Sequence, residues 1–202
     1  MKPRLLFATG NMGKLRELRG LVGDAVEVVS LKDLPPIPEP EESGATFGEN
    51  AELKARAYAA ASGLPALADD SGLCVDALGG RPGVHSARYA EGDDKARYQK
   101  LLAELSGVPD DKRTAAFACA LCLVRPGGGP AIIEVGRCEG RIGHEPRGSH
   151  GFGYDPVFLL PGGKTMAELT SEEKAAISHR GVAFQKMLPH LRAMAGGPPV
   201  GG

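Results

Sequence analysis

Long apolar runs are absent from this 202-residue chain. None approaches the roughly 20 residues that a bilayer-spanning helix needs, so no membrane partner is expected. The apolar start Leu5-Leu6-Phe7-Ala8 is cut off by Thr9-Gly10 before it could form a signal peptide. A soluble cytoplasmic protein is the expectation. An excess of either charge is missing too: 24 Lys and Arg stand against 25 Asp and Glu, a formal net charge of −1. No global basic field draws the chain to nucleic acid, so any anion site must be local. Cysteines are few: Cys74, Cys119, Cys122 and Cys138. No second Cys-x-x-Cys joins Cys119 and Cys122 to complete a four-ligand zinc site. That pair lies in Ala115–Val124, which reads as a buried strand, where an odd separation sends the sulfurs to opposite faces. All four read as small buried apolar residues. No internal repeat is present, and the length suits one large or two-lobed domain.

Glycine, by contrast, is abundant at 29 residues, which implies many tight turns and close backbone approaches. The first cluster follows a buried strand, Arg4–Ala8. Thr9-Gly10-Asn11-Met12-Gly13-Lys14 leads into a helix whose Leu15, Leu18 and Val22 share a face. Strand, glycine turn and helix start make an anion cradle, to which Lys14 adds a full charge. A plain turn capped by Asn11 is the alternative. The glycine spacing differs from a Walker loop, and Leu15 stands where Ser or Thr should follow the lysine. Ala25–Val29 predicts a second strand, and Lys32–Ala45, rich in Pro and Glu, a loop. Thr46-x-x-Glu49 is a capping box that opens an alanine-rich helix to about Ser62. The cap explains Glu49; it does not explain Asn50 and Lys54.

The most informative stretch is Ala68-Asp69-Asp70-Ser71-Gly72-Leu73. Apolar sequence on both sides predicts a strand through the core, and buried carboxylates are costly unless paired. Alternation points Asp69 and Asp70 to opposite faces, so only one serves a given pocket. Ser71-Gly72 is expected to break the strand. Either a strand-end carboxylate holds a hard cation or activates water, or the segment is a polar turn. Further on, Asp93-Asp94 caps a helix carrying Tyr98, Leu101, Leu102 and Leu105, and Thr114–Val124 with Ala131–Cys138 predicts a hairpin.

Gly151-Phe152-Gly153-Tyr154-Asp155-Pro156 sets two aromatics in a glycine-rich turn, which suits stacking on a flat ring. Thr170-x-x-Glu173 starts a short helix that includes Lys174, and Ser178-His179-Arg180 opens the last one. Basic residues in a first helical turn oppose the dipole, and a ligand with acceptor groups would account for them. Residues 195–202 are expected to be a disordered tail. Together the parts describe a site for an aromatic ring bearing phosphates, with Mg²⁺ held by one or two carboxylates and the phosphates.

Six segments in order carry a family likeness: Thr9–Lys14, Thr46–Ala51, Ala68–Leu73, Pro82–Tyr89, Gly151–Pro156 and Ser178–Arg180. From about Leu5 to Leu191 the chain closely resembles the inosine triphosphate pyrophosphatases, also called XTP/dITP diphosphatases. The resemblance implies an α/β fold over residues 1–194, an elongated mixed β-sheet with helices forming two lobes around a central active-site cleft. It implies a homodimer, and Mg²⁺-dependent hydrolysis of ITP, dITP and XTP to the monophosphate and pyrophosphate. By the same resemblance Thr9, Gly10, Asn11, Met12, Gly13 and Lys14 would hold the triphosphate. Asp70 would be proton acceptor and metal ligand, and Ser71 would contact substrate. Glu41 would be the second metal carboxylate, with Glu42 as its alternative. Phe152, Gly153, Tyr154, Asp155, Lys174, His179 and Arg180 would hold the nucleotide. A pyrophosphatase for other modified nucleotides and a nucleotide-binding regulator without turnover are the rival readings.

Overall fold

The computed structural model describes residues 2–24 and 26–194. The expected tail at 195–202 lies outside them, as does Ala25 at the head of the expected second strand. The elements in chain order are β1 (Arg4–Phe7), α1 (Met12–Val22), β2 (Glu27–Ser30), α2 (Phe47–Ser62), β3 (Ala66–Val75), α3 (Asp94–Glu104), β4 (Thr114–Val124), β5 (Ile132–Ile142), β6 (Phe158–Leu159), α4 (Ser171–Ile177) and α5 (His179–Met194). The fold is mixed α/β with a six-stranded sheet in the order β2-β1-β3-β4-β5-β6. β1 runs parallel to β2 and β3, while β5 and β6 are antiparallel. Among the described residues no helix is long and apolar enough to cross a membrane.

The chain divides into two compact units. The first holds residues 2–70, 119–136 and 182–194; the second holds 71–118 and 137–181. β3, β4 and β5 each give residues to both, and the division of β3 falls between Asp70 and Ser71.

Strand alternation gives the first unit two separate clusters. Leu5, Phe7 and Leu67 join Leu15, Leu18, Phe184 and Met187 of α1 and α5. Leu6, Ala66 and Ala68 join Ala51, Ala55 and Tyr58 of α2. The second cluster is built mostly of alanine, which lets α2 pack closely. Cys119 belongs to the first cluster and Cys122 to the second, as an odd separation on a strand requires. All four cysteines are free.

In the second unit Leu73, Val75, Leu101, Leu105, Phe117 and Phe158 belong to one cluster. The Phe117 and Phe158 ring centroids lie 4.5 Å apart. Arg113 is buried inside this unit, and its guanidinium donates to the carbonyls of Leu105 and Ile142 at 2.8 Å and of Gly143 at 2.7 Å. Those bonds tie the end of α3 to β5. One expectation is corrected here. Ser71 and Gly72 do not break the strand: β3 runs unbroken for ten residues. Ladder pairing with a neighbouring strand outweighs glycine's weak strand preference.

Candidate functional site

In the first unit, α1 starts where the glycine turn predicts. Asn11 accepts from the amides of Gly13 at 2.8 Å and Lys14 at 3.2 Å, and Thr9 Oγ1 accepts from the Asn11 amide at 3.1 Å. A Cβ on Gly13 would sit 3.0 Å from Asn11 Oδ1, so a side chain there would crowd the cap. The first turn of α1 contains no acidic residue, which leaves its positive end uncompensated. Gly10 has open space around it, and Met12 is exposed. Lys14 Nζ lies 2.6 Å from the buried carboxylate of Asp69, so the cradle's cation is held by the strand next in the sheet.

Asp70 faces the other way, towards α2. Its Oδ2 accepts from Asn50 Nδ2 at 3.0 Å, and Lys54 Nζ stands 3.7 Å from Oδ1. Asn50 and Lys54 are one helical turn apart on α2, which is why one carboxylate meets both. Asn50 also accepts from the Gly44 amide at 2.7 Å, pinning the end of the Pro- and Glu-rich loop. Lys54 binds Glu42 Oε1 at 2.7 Å. Burial alone would lower the Lys54 pKa, but the Glu42 hydrogen bond and the charges of Asp70 and Asp69 raise it above the ordinary value. Lys54 therefore remains charged between Glu42 and Asp70. Glu41, the metal carboxylate that the resemblance implied, is an exposed side chain; Glu42, its alternative, is the one in this network. Sequence reasoning left Asp69 out of the site; Asn50 and Lys54, which the helix cap does not explain, do face Asp70. Their signal was a Lys and an Asn one turn apart on a helix face otherwise lined with alanine.

The second unit contains a cavity of about 140 Å³, a size that holds a single aromatic ring. Ser71, Phe117, Phe152, Tyr154, His179 and Arg180 are among its walls. Phe152 is 53% exposed, with Lys174 Nζ 4.9 Å and the Arg180 guanidinium 6.0 Å from its ring centroid. Both cations are placed to polarise against the ring face. Asp155 is buried; it pairs with Lys174 and accepts from the Phe152 amide at 2.9 Å. Gly151 has φ +80°, and a Cβ there would run into the Asp155 carboxylate. His179 stacks on Phe117 with centroids 5.0 Å apart and planes at 18°. Ser178 Oγ accepts from the Gly181 amide at 3.1 Å, so α5 has its own cap beside the two basic residues.

Tyr154 departs from the expectation of two exposed stacking rings. It is 4% exposed and donates its hydroxyl to the Ser86 carbonyl at 2.8 Å. Burial raises its pKa, so the hydroxyl stays protonated as a donor. Ser86 in turn takes the Leu73 amide of β3 at 2.9 Å. Two more wall residues, Asp94 and Arg97, went unrecognised because a helix cap already accounted for the paired acids at the start of α3.

Three kinds of likeness accompany this geometry. Residues 5–190 match the model of the Ham1 family. A dITP/XTP pyrophosphatase of Streptomyces avermitilis is 51% identical over 200 residues, covering 96% of this chain and 99% of that protein. One of Geobacillus kaustophilus is 53% identical over 197 residues, covering 96% of each. The solved structure of a HAM1 protein from Coxiella burnetii superposes with a TM-score of 0.89 at 42% identity, over 95% of this chain and 99% of that one.

Proposed function

This chain belongs to the Ham1 family, and we propose that it hydrolyses the purine nucleoside triphosphates ITP, dITP and XTP to the monophosphate and pyrophosphate. It is a nucleoside-triphosphate diphosphatase. The observation that carries the chemistry is a buried Asp70 held between Asn50 and a charged Lys54.

Thr9, Gly10, Asn11, Met12, Gly13 and Lys14 receive the triphosphate, whose charge competes with Asp69 for Lys14. Asp70 orients the attacking water and takes its proton. The water attacks the α-phosphorus, and pyrophosphate leaves. Little covalent work falls to the protein, so the rate comes from positioning and electrostatics. Among the described residues no group of three or more His, Cys, Asp or Glu could hold a metal. Mg²⁺ takes one or two protein oxygens and fills its shell with phosphate oxygens and water, so a pair of carboxylates is donor set enough. Asp70 would hold it together with Glu41, or with Glu42, which lies in the Lys54 network. When bound, Mg²⁺ would offset charge on the phosphates.

Ser71, Phe152, Gly153, Tyr154, Asp155, Lys174, His179 and Arg180 hold the nucleoside. Phe152 offers a stacking face. Donors on His179 and Arg180 suit the carbonyl at the 6-position of inosine and xanthine, and adenine's amino group leaves them unpaired. Such a mismatch rejects an analogue by about 10⁴-fold. A homodimer belongs to the same reading, supported by the apolar side chains of Leu53, Ile133 and Val135 exposed on the first unit; sedimentation of the purified chain tests it. The site of action is the cytoplasm.

The testing experiment is product analysis over a panel of nucleoside triphosphates with Mg²⁺. Pyrophosphate from ITP, dITP and XTP, with little from ATP, is the expected result. Orthophosphate would overturn the mechanism, and ITP bound without turnover would make the protein a regulator.

A further inference from the structure

The turn that carries Phe152 is fixed from outside itself. Within the turn, Asp155 takes the Phe152 amide at 2.9 Å. The next amide, that of Gly153, donates instead to Asp94 Oδ2 at 2.7 Å, 59 residues away on α3. Gly153 has φ +63°, a left-handed conformation in which glycine directs its amide at no steric cost.

Asp94 is not needed to cap its own helix. Asp93 is the N-cap and accepts from the Ala96 amide at 2.9 Å. The two adjacent acids thus divide the work, one closing the helix and the other reaching across to the turn. The Asp94 carboxylate is oriented by Arg97, one turn along α3, which holds its Oδ1 at 2.5 Å. Arg97 in turn donates to the Gly92 carbonyl at 3.3 Å. Both side chains are part of the wall of the ring-sized cavity. Phe152 itself is over half exposed, so packing does little to fix its ring. The direction in which its Cβ leaves the backbone follows from the two peptide groups around it, and Asp94 holds one of them.

We propose that Asp94, oriented by Arg97, is a positioning residue that sets the Phe152 ring for the base. The role rests on the reading above that Phe152 is the stacking face. Asp94 touches no reacting atom, so its loss acts on binding and leaves the chemical step alone. It also makes α3 a determinant of nucleobase affinity.

A double-mutant cycle on the purified full-length chain tests this, with KM and kcat for ITP and thermal melting measured on each variant. Phe152→Ala should raise KM about tenfold. Asp94→Ala should raise it about fivefold, with kcat within about twofold of the parent. In the Phe152→Ala background the same Asp94→Ala change should alter KM less than about twofold, because nothing remains to position. Asp94→Asn keeps one oxygen for the Gly153 amide but loses the second oxygen that Arg97 holds, so its KM should fall between those of the parent and Asp94→Ala. Equal effects of Asp94→Ala with and without Phe152 would overturn the positioning role while leaving the stacking face intact. Asp94→Asn as poor as Asp94→Ala would overturn the amide bond as its means. A lowered melting temperature with KM unchanged would reduce Asp94 to a structural residue. An unchanged KM in Phe152→Ala would overturn the stacking reading, and the positioning role with it.

Discussion

The two units solve opposite problems. In the first, acids are buried and each faces a cation, Asp69 with Lys14 and Asp70 with the Lys54 that Glu42 also binds. In the second, the decisive group is an aromatic ring left open to solvent, with Lys174 and Arg180 beside it. Paired charges in a poorly solvated place act strongly on whatever charge develops near them. A ring flanked by cations gains little by itself and offers a face to another flat ring. The comparison teaches that turnover and recognition are separable here. Changes at Asp70 and Lys54 should strike kcat, and changes at the ring should strike KM.

The largest expected effect comes from Asp70→Asn, which keeps the shape and the Asn50 contact but loses the base. Its kcat should fall by about 10³-fold, while ITP binding measured by calorimetry stays near that of the parent. Near-normal turnover would erase the contrast. Next is Lys54→Met, which leaves Asp70 and Glu42 without the cation they share. Breaking a buried pair of this kind costs about 3 kcal/mol, readable in urea unfolding, and turnover should drop with it. Phe152→Ala, at about tenfold in KM for ITP, sharpens the contrast from the other side. A loss of kcat at unchanged KM in that variant would blur it.

The last effect concerns pH and belongs to neither site. Burial pushes the Cys122 thiol up from 9.0 to about 12. Above pH 9 the unfolded chain ionises this thiol while the fold keeps it protonated, so the unfolded state binds fewer protons. Stability therefore falls as pH rises from 9 towards 12, by up to about 1.4 kcal/mol per pH unit. Cys122→Ala should flatten that part of the profile in denaturant titrations.

Much of this was readable from the residues, for identifiable reasons. Capping boxes at Thr46 and Thr170 and the Asn11 cap mark helix starts through local hydrogen bonds, and the structure has all three. Strand alternation separates Asp69 from Asp70 and Cys119 from Cys122 because it depends on position alone. What escaped was set by long-range contact. Nothing local says that β3 continues through Ser71-Gly72, since the ladder holding it comes from elsewhere in the chain. The roles of Lys54 and Asp94 depend on partners 16 and 59 residues away, at Asp70 and Gly153. Tyr154 follows a glycine-rich turn, a place that suggests exposure, yet its hydroxyl donates to the Ser86 carbonyl inside the unit.

The most direct test is hydrolysis of ITP in heavy-oxygen water, followed by mass analysis of both products. If Asp70 delivers water to the α-phosphorus and the ring pocket only selects, the label appears in the monophosphate, in the parent and in Phe152→Ala alike. Label in the pyrophosphate would mean attack at the β-phosphorus, and would contradict the account.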